Sequence, residues 1–381
     1  MKPYPTDQET HIAFFMASLS NGGIGKMRIH LTRELVKRGV KVDLLLGREE
    51  GPYFQNVDPD VRIVRLGTSH AVRSLPKLIR YLRREHPDVL VTERIRVNVA
   101  AIRARRFARV KTRIYAGIHT AMSREIKNLR PEKRKTHLPL MQRYYPQNDG
   151  YIAVSKGVAE DLVNMIDVPA GKIHVVYNPV VTKDLLTKAR EPLDHPWFMP
   201  PGPPVILGTG RLEPQKDFPT LLHAFAAVRK SRSCRLVILG EGGERNSLEA
   251  LASQLGIKED LQLPGFVANP YAFMARADVF VLSSLWEGSP NVLTEALAVG
   301  TPVVSTDCRD GPKEILQNGR YGPLVSVGDR DALADAIAKT LDNPLAGRLL
   351  QSAVSRFTPE ACADAYLEAL GFGRNLAKDN H

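Results

Sequence analysis

Short apolar runs alternate with longer amphipathic stretches along this 381-residue chain, and the alternation is played out twice. In the first half, residues 11–17, 41–46, 61–66, 88–92 and 112–116 are strand-length runs of apolar and β-branched residues. Residues 26–38, 75–85 and 97–107 place apolar residues at helical spacing, and strands at 151–154 and 173–177 flank a helix at 156–166. In the second half, strands are expected at 205–208, 235–239, 261–263, 279–282, 302–305 and 322–325. Helices are expected at 218–230, 246–255, 269–276, 291–299 and 330–341, and a last one at 358–370. Strands that are apolar throughout, separated by helices, predict α/β domains with parallel sheets covered on both faces.

Residues 191–204 hold Pro192, Pro196, Pro200, Pro201, Pro203 and Pro204. Proline continues neither a helix nor a central strand. The chain is therefore expected to divide into a Rossmann-like domain at 1–185, a proline-rich linker at 186–204 and a second Rossmann-like domain at 205–357. The tail, 358–381, is expected to send its helix back to the first domain. Two such domains would face each other across a cleft, with ligands beyond the carboxyl ends of the strands.

Charge sharpens this picture. Residues 1–180 carry 32 Lys and Arg against 17 Asp and Glu, and the remainder carries 21 against 24. The basic excess thus lies wholly in the first half, and clustered cations attract polyanions. Three cysteines, Cys234, Cys308 and Cys362, show neither pairing nor metal-ligand spacing, as expected of a reducing compartment. No apolar run approaches the ~20 residues that span a bilayer, and residues 12–20 are expected to be a first core strand, not a signal peptide.

The candidate chemistry falls at strand ends. Glu287 and Glu295 bracket a helix start in which Ser289 is expected to cap and Pro290 to occupy the first position. Backbone N–H groups between two carboxylates suit a sugar diphosphate: the N–H groups meet phosphate, and the acids accept from vicinal hydroxyls. After the strand at 205–208, Arg211 offers a planar fork and Lys216 a mobile point charge. The run Asn21-Gly22-Gly23-Ile24-Gly25-Lys26 follows the first strand and would bring backbone close to a ligand. It is not a nucleotide P-loop, because Ser20 stands for the leading glycine and Met27 follows the lysine; Arg28 likewise breaks the dinucleotide pattern. His119 follows another strand, where a hydrogen bond to a sugar hydroxyl or a developing charge is feasible.

In combination these features resemble the retaining glycosyltransferases of family 4, which adopt the GT-B fold. The matching elements are Gly22-Gly23, His119, Ser155, Asn178-Pro179, Gly210-Arg211 with Lys216, Gly240-Glu241-Gly242, the Glu287/Glu295 pair and Gly300–Asp307. The resemblance spans nearly the whole chain. It implies that Arg211 and Lys216 neutralise a nucleotide diphosphate, aided by Gly210 and by backbone at Asn291, Val292, Leu293 and Thr294. Glu295 would hold the ribose, Glu287 the donor sugar, and Gly265, Phe266 and Val267 would pack on the base. Gly22 and Gly23 would close over the phosphates, and His119 would contact the sugar near the reacting centre. The implied catalytic set is His119, Arg211, Lys216 and Glu287, with no cofactor and no metal.

The implied reaction moves a hexose or N-acetylhexosamine from a nucleotide sugar, UDP-linked in many such enzymes, to a glycan or lipid-linked acceptor of a bacterial surface glycan. The basic run Arg124, Lys127, Arg130, Lys133, Arg134 and Lys135 would then face anionic lipid or an acceptor diphosphate, at the inner face of the cytoplasmic membrane. Other readings are an inverting GT-B transferase with His119 as base, a nucleotide-sugar epimerase, and a basic nucleic-acid-binding module. The last leaves the two acids unexplained and lacks an aromatic stacking platform.

Overall fold

The computed structural model describes residues 10–19, 23–48, 53–68, 70–199 and 201–373. The chain forms two compact units, one of Met1–Pro179 with Pro359–His381 and one of Val180–Thr358.

The first unit is built on β1 (His11–Met16), β2 (Lys41–Leu46), β3 (Arg62–Arg65), β4 (Val89–Thr92), β5 (Arg113–Ile118), β6 (Gly150–Ala153) and β7 (Ile173–Val175). They form a seven-stranded sheet in the order β3-β2-β1-β4-β5-β6-β7, with every pairing parallel. In the second unit, β8 (Val205–Thr209), β9 (Arg235–Leu239), β10 (Leu261–Gly265), β11 (Val279–Leu282), β12 (Val303–Thr306) and β13 (Leu324–Val325) run in the order β10-β9-β8-β11-β12-β13, again parallel. The central strands are apolar throughout because helices cover both faces; β1, β4 and β11 are buried at every position. Each unit is Rossmann-like, and in each the order reverses beside its first strand, between β1 and β4 and between β8 and β11. Ligands of open parallel sheets gather at such reversals.

The unit boundary differs from the expected linker. The chain crosses at Pro179–Val180, and the 183–198 stretch belongs to the second unit. Thr182 caps a helix, Lys183–Ala189, by accepting from the Leu185 N–H at 3.1 Å. Asn269 Nδ2 donates to the Lys188 carbonyl at 2.9 Å and Arg276 to that of Glu191 at 2.8 Å. Beyond it, the rings of His195, Phe198 and Phe273 meet edge to face. Proline disfavours a continuing helix or central strand but not ordered packing. The helix Pro359–Ala369 packs in the first unit, where Ala363, Tyr366 and Leu367 join its core.

Two further helices, Met122–Asn128 and Pro131–Tyr144, have no counterpart in the periodicity. The second buries only Met141 and contains Pro139, so it has no apolar stripe to read.

Candidate functional site: strand-end ion pairs in both units

In the second unit, the loops after β8 and β11 are stitched together. The Leu285 N–H donates to the Gln215 carbonyl at 2.9 Å, Gln215 Nε2 to that of Trp286 at 2.9 Å, and Ser283 Oγ to that of Lys216 at 2.7 Å. Neighbouring parallel strands make this possible, because their carboxyl ends emerge side by side. The stitching sets Lys216 Nζ 2.6 Å from Glu287 Oε1, which also accepts from Ser284 Oγ at 2.7 Å. Among the described residues, Oε2 has no such partner. Gly210 lets the lysine lie there: a Cβ on it would sit 3.0–3.2 Å from the Lys216 methylenes.

The helix after Glu287 runs Asn291–Ala298, with Pro290 as its cap and no side-chain capping bond. It begins at the expected Asn291, but Pro290 takes the cap position in place of the first helical one, and Ser289 does not cap it. The Leu293 and Thr294 N–H groups both turn back to the Pro290 carbonyl, at 3.1 and 3.4 Å. Their side chains are buried in the core. The expected backbone cradle therefore narrows to Asn291 and Val292, at the positive end of the helix dipole. Glu295 is buried on the same helix and accepts from Tyr271 Oη at 3.3 Å. Arg211 stands apart from the lysine: its side chain is 70% exposed and bonds Glu213 at 2.9 Å. At the end of β10, Gly265 is buried with φ +85°, a left-handed conformation that suits glycine, and it turns out Phe266, which is 83% exposed, beside half-buried Val267.

In the first unit, Gly22 lies outside the described residues, and Gly23 is the first residue of the helix Gly23–Lys37. Arg28 on that helix donates to Glu93 Oε1, and Glu93 Oε2 meets His119 Nε2. Arg28 also donates to Tyr366 Oη at 3.3 Å and lies 4.2 Å over the Phe14 ring. Burial alone would raise the Glu93 carboxyl, but Arg28 and His119 outweigh it and hold it at about 2. Neither Glu93 nor Arg28 is nominated as a ligand-site residue by the sequence pattern. The available signal for Glu93 is its place immediately after an apolar strand. Tyr271 and Ser284 are likewise visible only through the contacts they make.

A family model described as Glycosyltransferase Family 4 matches residues 21–184, and one described as Glycosyl transferases group 1 matches residues 190–356. The chain belongs to the family 4 glycosyltransferases. Among its relatives is the lipopolysaccharide core biosynthesis glycosyltransferase LpsE of Rhizobium meliloti, 28% identical over 92% of this chain and 96% of that protein. Another is the N-acetylgalactosamine-N,N'-diacetylbacillosaminyl-diphospho-undecaprenol 4-alpha-N-acetylgalactosaminyltransferase of Campylobacter jejuni, 33% identical over 54% of each chain. The crystal structure of Anabaena HepE in complex with UDP and glucose matches 95% of this chain and all of that one, with a TM-score of 0.75 and 19% identity. That likeness is one of fold, GT-B.

Much of the glycosyltransferase's basic excess is structural. Arg83 donates to the Phe107 carbonyl, Arg103 to Tyr144 Oη, and Arg105 pairs with Asp149. In the basic run, Arg134 donates to the carbonyls of Ile126 and Lys127 at the end of the preceding helix. It stays exposed while doing so. Lys127, Arg130, Lys133 and Lys135 are exposed, and Arg124 is half-buried. Among the described residues, no helix is long and apolar enough to cross a membrane.

Proposed function

We propose that this glycosyltransferase moves a hexose or N-acetylhexosamine from a UDP-linked donor to a glycan or lipid-linked acceptor, with retention at the anomeric carbon, in the assembly of lipopolysaccharide, surface polysaccharide or glycoprotein. The observation that carries the reading is the Lys216–Glu287 pair beside the start of the Asn291–Ala298 helix. The lysine and the helix start would receive the diphosphate. Glu287 Oε1 is committed to Lys216 and Ser284, so Oε2 is the atom to accept from a sugar hydroxyl. Glu295 would hold the ribose and Phe266 would flank the base. Arg211 would swing from Glu213 to the phosphates, and His119 would contact the sugar.

In the reaction the bond from the anomeric carbon to the diphosphate oxygen breaks. A bond to the acceptor oxygen forms on the same face, and the acceptor's proton passes to the departing diphosphate. No metal takes part in this scheme; Lys216, Arg211 and the helix start meet the developing charge. The printed names of LpsE and of the Campylobacter transferase support a surface-glycan role, and the UDP and glucose bound to HepE support the donor class. The exposed cations Lys127, Arg130, Lys133 and Lys135 would rest on anionic lipid at the inner face of the cytoplasmic membrane.

The anomeric configuration of the product tests the reading. An α-linked donor should give an α-linked product by proton NMR. A β-linked product would establish inversion, and an epimerised nucleotide sugar without transfer would establish a different enzyme class.

A further inference from the structure

We propose that Glu93 is a positioning residue: it fixes the imidazole of His119 so that Nε2 holds the proton and Nδ1 is left for the substrate. The inference rests on the reading of His119 as a sugar-contacting residue and extends it to a specific atom.

An ionised carboxylate only accepts hydrogen bonds, so any ring nitrogen bonded to it must donate. Glu93 is ionised, with its carboxyl held at about 2 because the pull of Arg28 and His119 exceeds the effect of burial. Its two oxygens are divided, Oε1 to Arg28 and Oε2 to His119 Nε2. The imidazole proton therefore belongs on Nε2. Among the described residues, no hydrogen bond reaches Nδ1, and His119 lines a pocket of the first unit with Arg28, Gly117 and Asn178.

The local structure serves this contact. Gly117 stands where a Cβ would lie 2.9 Å from Glu93 Oε2 and 3.3 Å from His119 Nε2, so a side chain there would push the two apart. Arg28 is itself held between Phe14 and Tyr366. The negative charge of Glu93 is already matched by Arg28, which assigns the acid to orientation and leaves the reacting charge to other groups. Fixing a ring by a carboxylate on its far nitrogen is how a histidine is held in one tautomer for chemistry at the other nitrogen.

The direct test is the nitrogen spectrum of the full-length protein labelled with ¹⁵N-histidine, without any donor, in a buffer basic enough to keep the imidazole neutral. His119→Asn identifies the resonance. The proposal predicts a proton on Nε2. A proton on Nδ1, or exchange between the two nitrogens, overturns it, and the wild-type protein decides this even if Glu93→Gln does not fold. Turnover supplies the second arm. Glu93→Gln should lower kcat by roughly 10- to 100-fold, the usual cost of losing a supporting partner of an active group, with little change in donor KM. In the His119→Asn background it should lower kcat no further. Equal losses in both backgrounds, or wild-type turnover in His119→Asn, overturn the role assigned to Nδ1. The sugar-transfer reading is judged separately, by the product anomer.

Discussion

Each unit of this glycosyltransferase carries an ion pair at the same topological place, between the helix-side segment after its first strand and the loop after its fourth. In the first unit it is Arg28–Glu93, with side chains 5% and 3% exposed; in the second it is Lys216–Glu287, at 15% and 9%. The strand order reverses at both places. The first pair uses a guanidinium fixed by aromatic rings and a tyrosine hydroxyl, and its acid is shared with a histidine. The second uses a flexible ammonium whose acid keeps one oxygen in reserve. One fold position thus carries two kinds of pair: a sealed one whose acid is shared with a histidine and, in the proposed function, an openable one whose cation would meet an incoming anion.

The largest effect should come from breaking the sealed pair. Arg28→Met leaves Glu93 buried without its cation, which typically costs about 3–5 kcal/mol. A urea titration should show the first unit unfolding at a much lower midpoint; an unchanged midpoint would mean the pair is not sealed. Breaking the openable pair should instead harm chemistry. Lys216→Ala should lower kcat by roughly 10²–10³-fold, as for loss of one preorganised donor to a developing charge, with the fold intact by circular dichroism. Glu295→Ala should raise donor KM roughly tenfold with kcat nearly unchanged, since a ribose contact acts on ground and transition states alike.

Acid stability sharpens the contrast. The Glu93 carboxyl lies at about 2 in the folded protein against an ordinary 4.5. A depressed carboxyl contributes stability that is present above its unfolded value and is lost as pH falls through its folded value. Glu93→Gln should therefore flatten the fall in melting temperature between pH 4.5 and 2 relative to wild type. The smallest effect concerns the surface: reversing Lys127, Arg130, Lys133 and Lys135 should abolish flotation with anionic vesicles and leave stability nearly unchanged. Reversing Arg134 should cost stability instead, because its guanidinium holds the carbonyls of Ile126 and Lys127.

The legibility of the two pairs in the sequence differs for the same physical reason. The strands can be read because parallel strands buried on both faces leave unbroken apolar runs. Lys216, Glu287 and Glu295 can be read because their spacing along single loops and a helix start is itself the signal. Arg28 and Glu93 are 65 residues apart and meet only in the folded sheet. Each sits among other charges, Arg28 near Lys26 and Glu93 before Arg94, and looks like a solvated residue. Burial converts them into a specific pair, and burial of a charge leaves no local pattern. The 183–198 segment is obscured in the opposite sense, because its prolines advertise a linker while the fold packs it within the second unit.

In the proposed function Lys216 receives the donor's diphosphate. A panel of nucleotide sugars screened for thermal stabilisation of the wild-type protein and of Lys216→Ala tests it most directly, because a ligand that binds only the folded state raises the melting temperature by mass action. A UDP-sugar should raise the melting temperature of the wild type and shift the variant far less. Equal shifts in both proteins, or none with any nucleotide sugar, would contradict it.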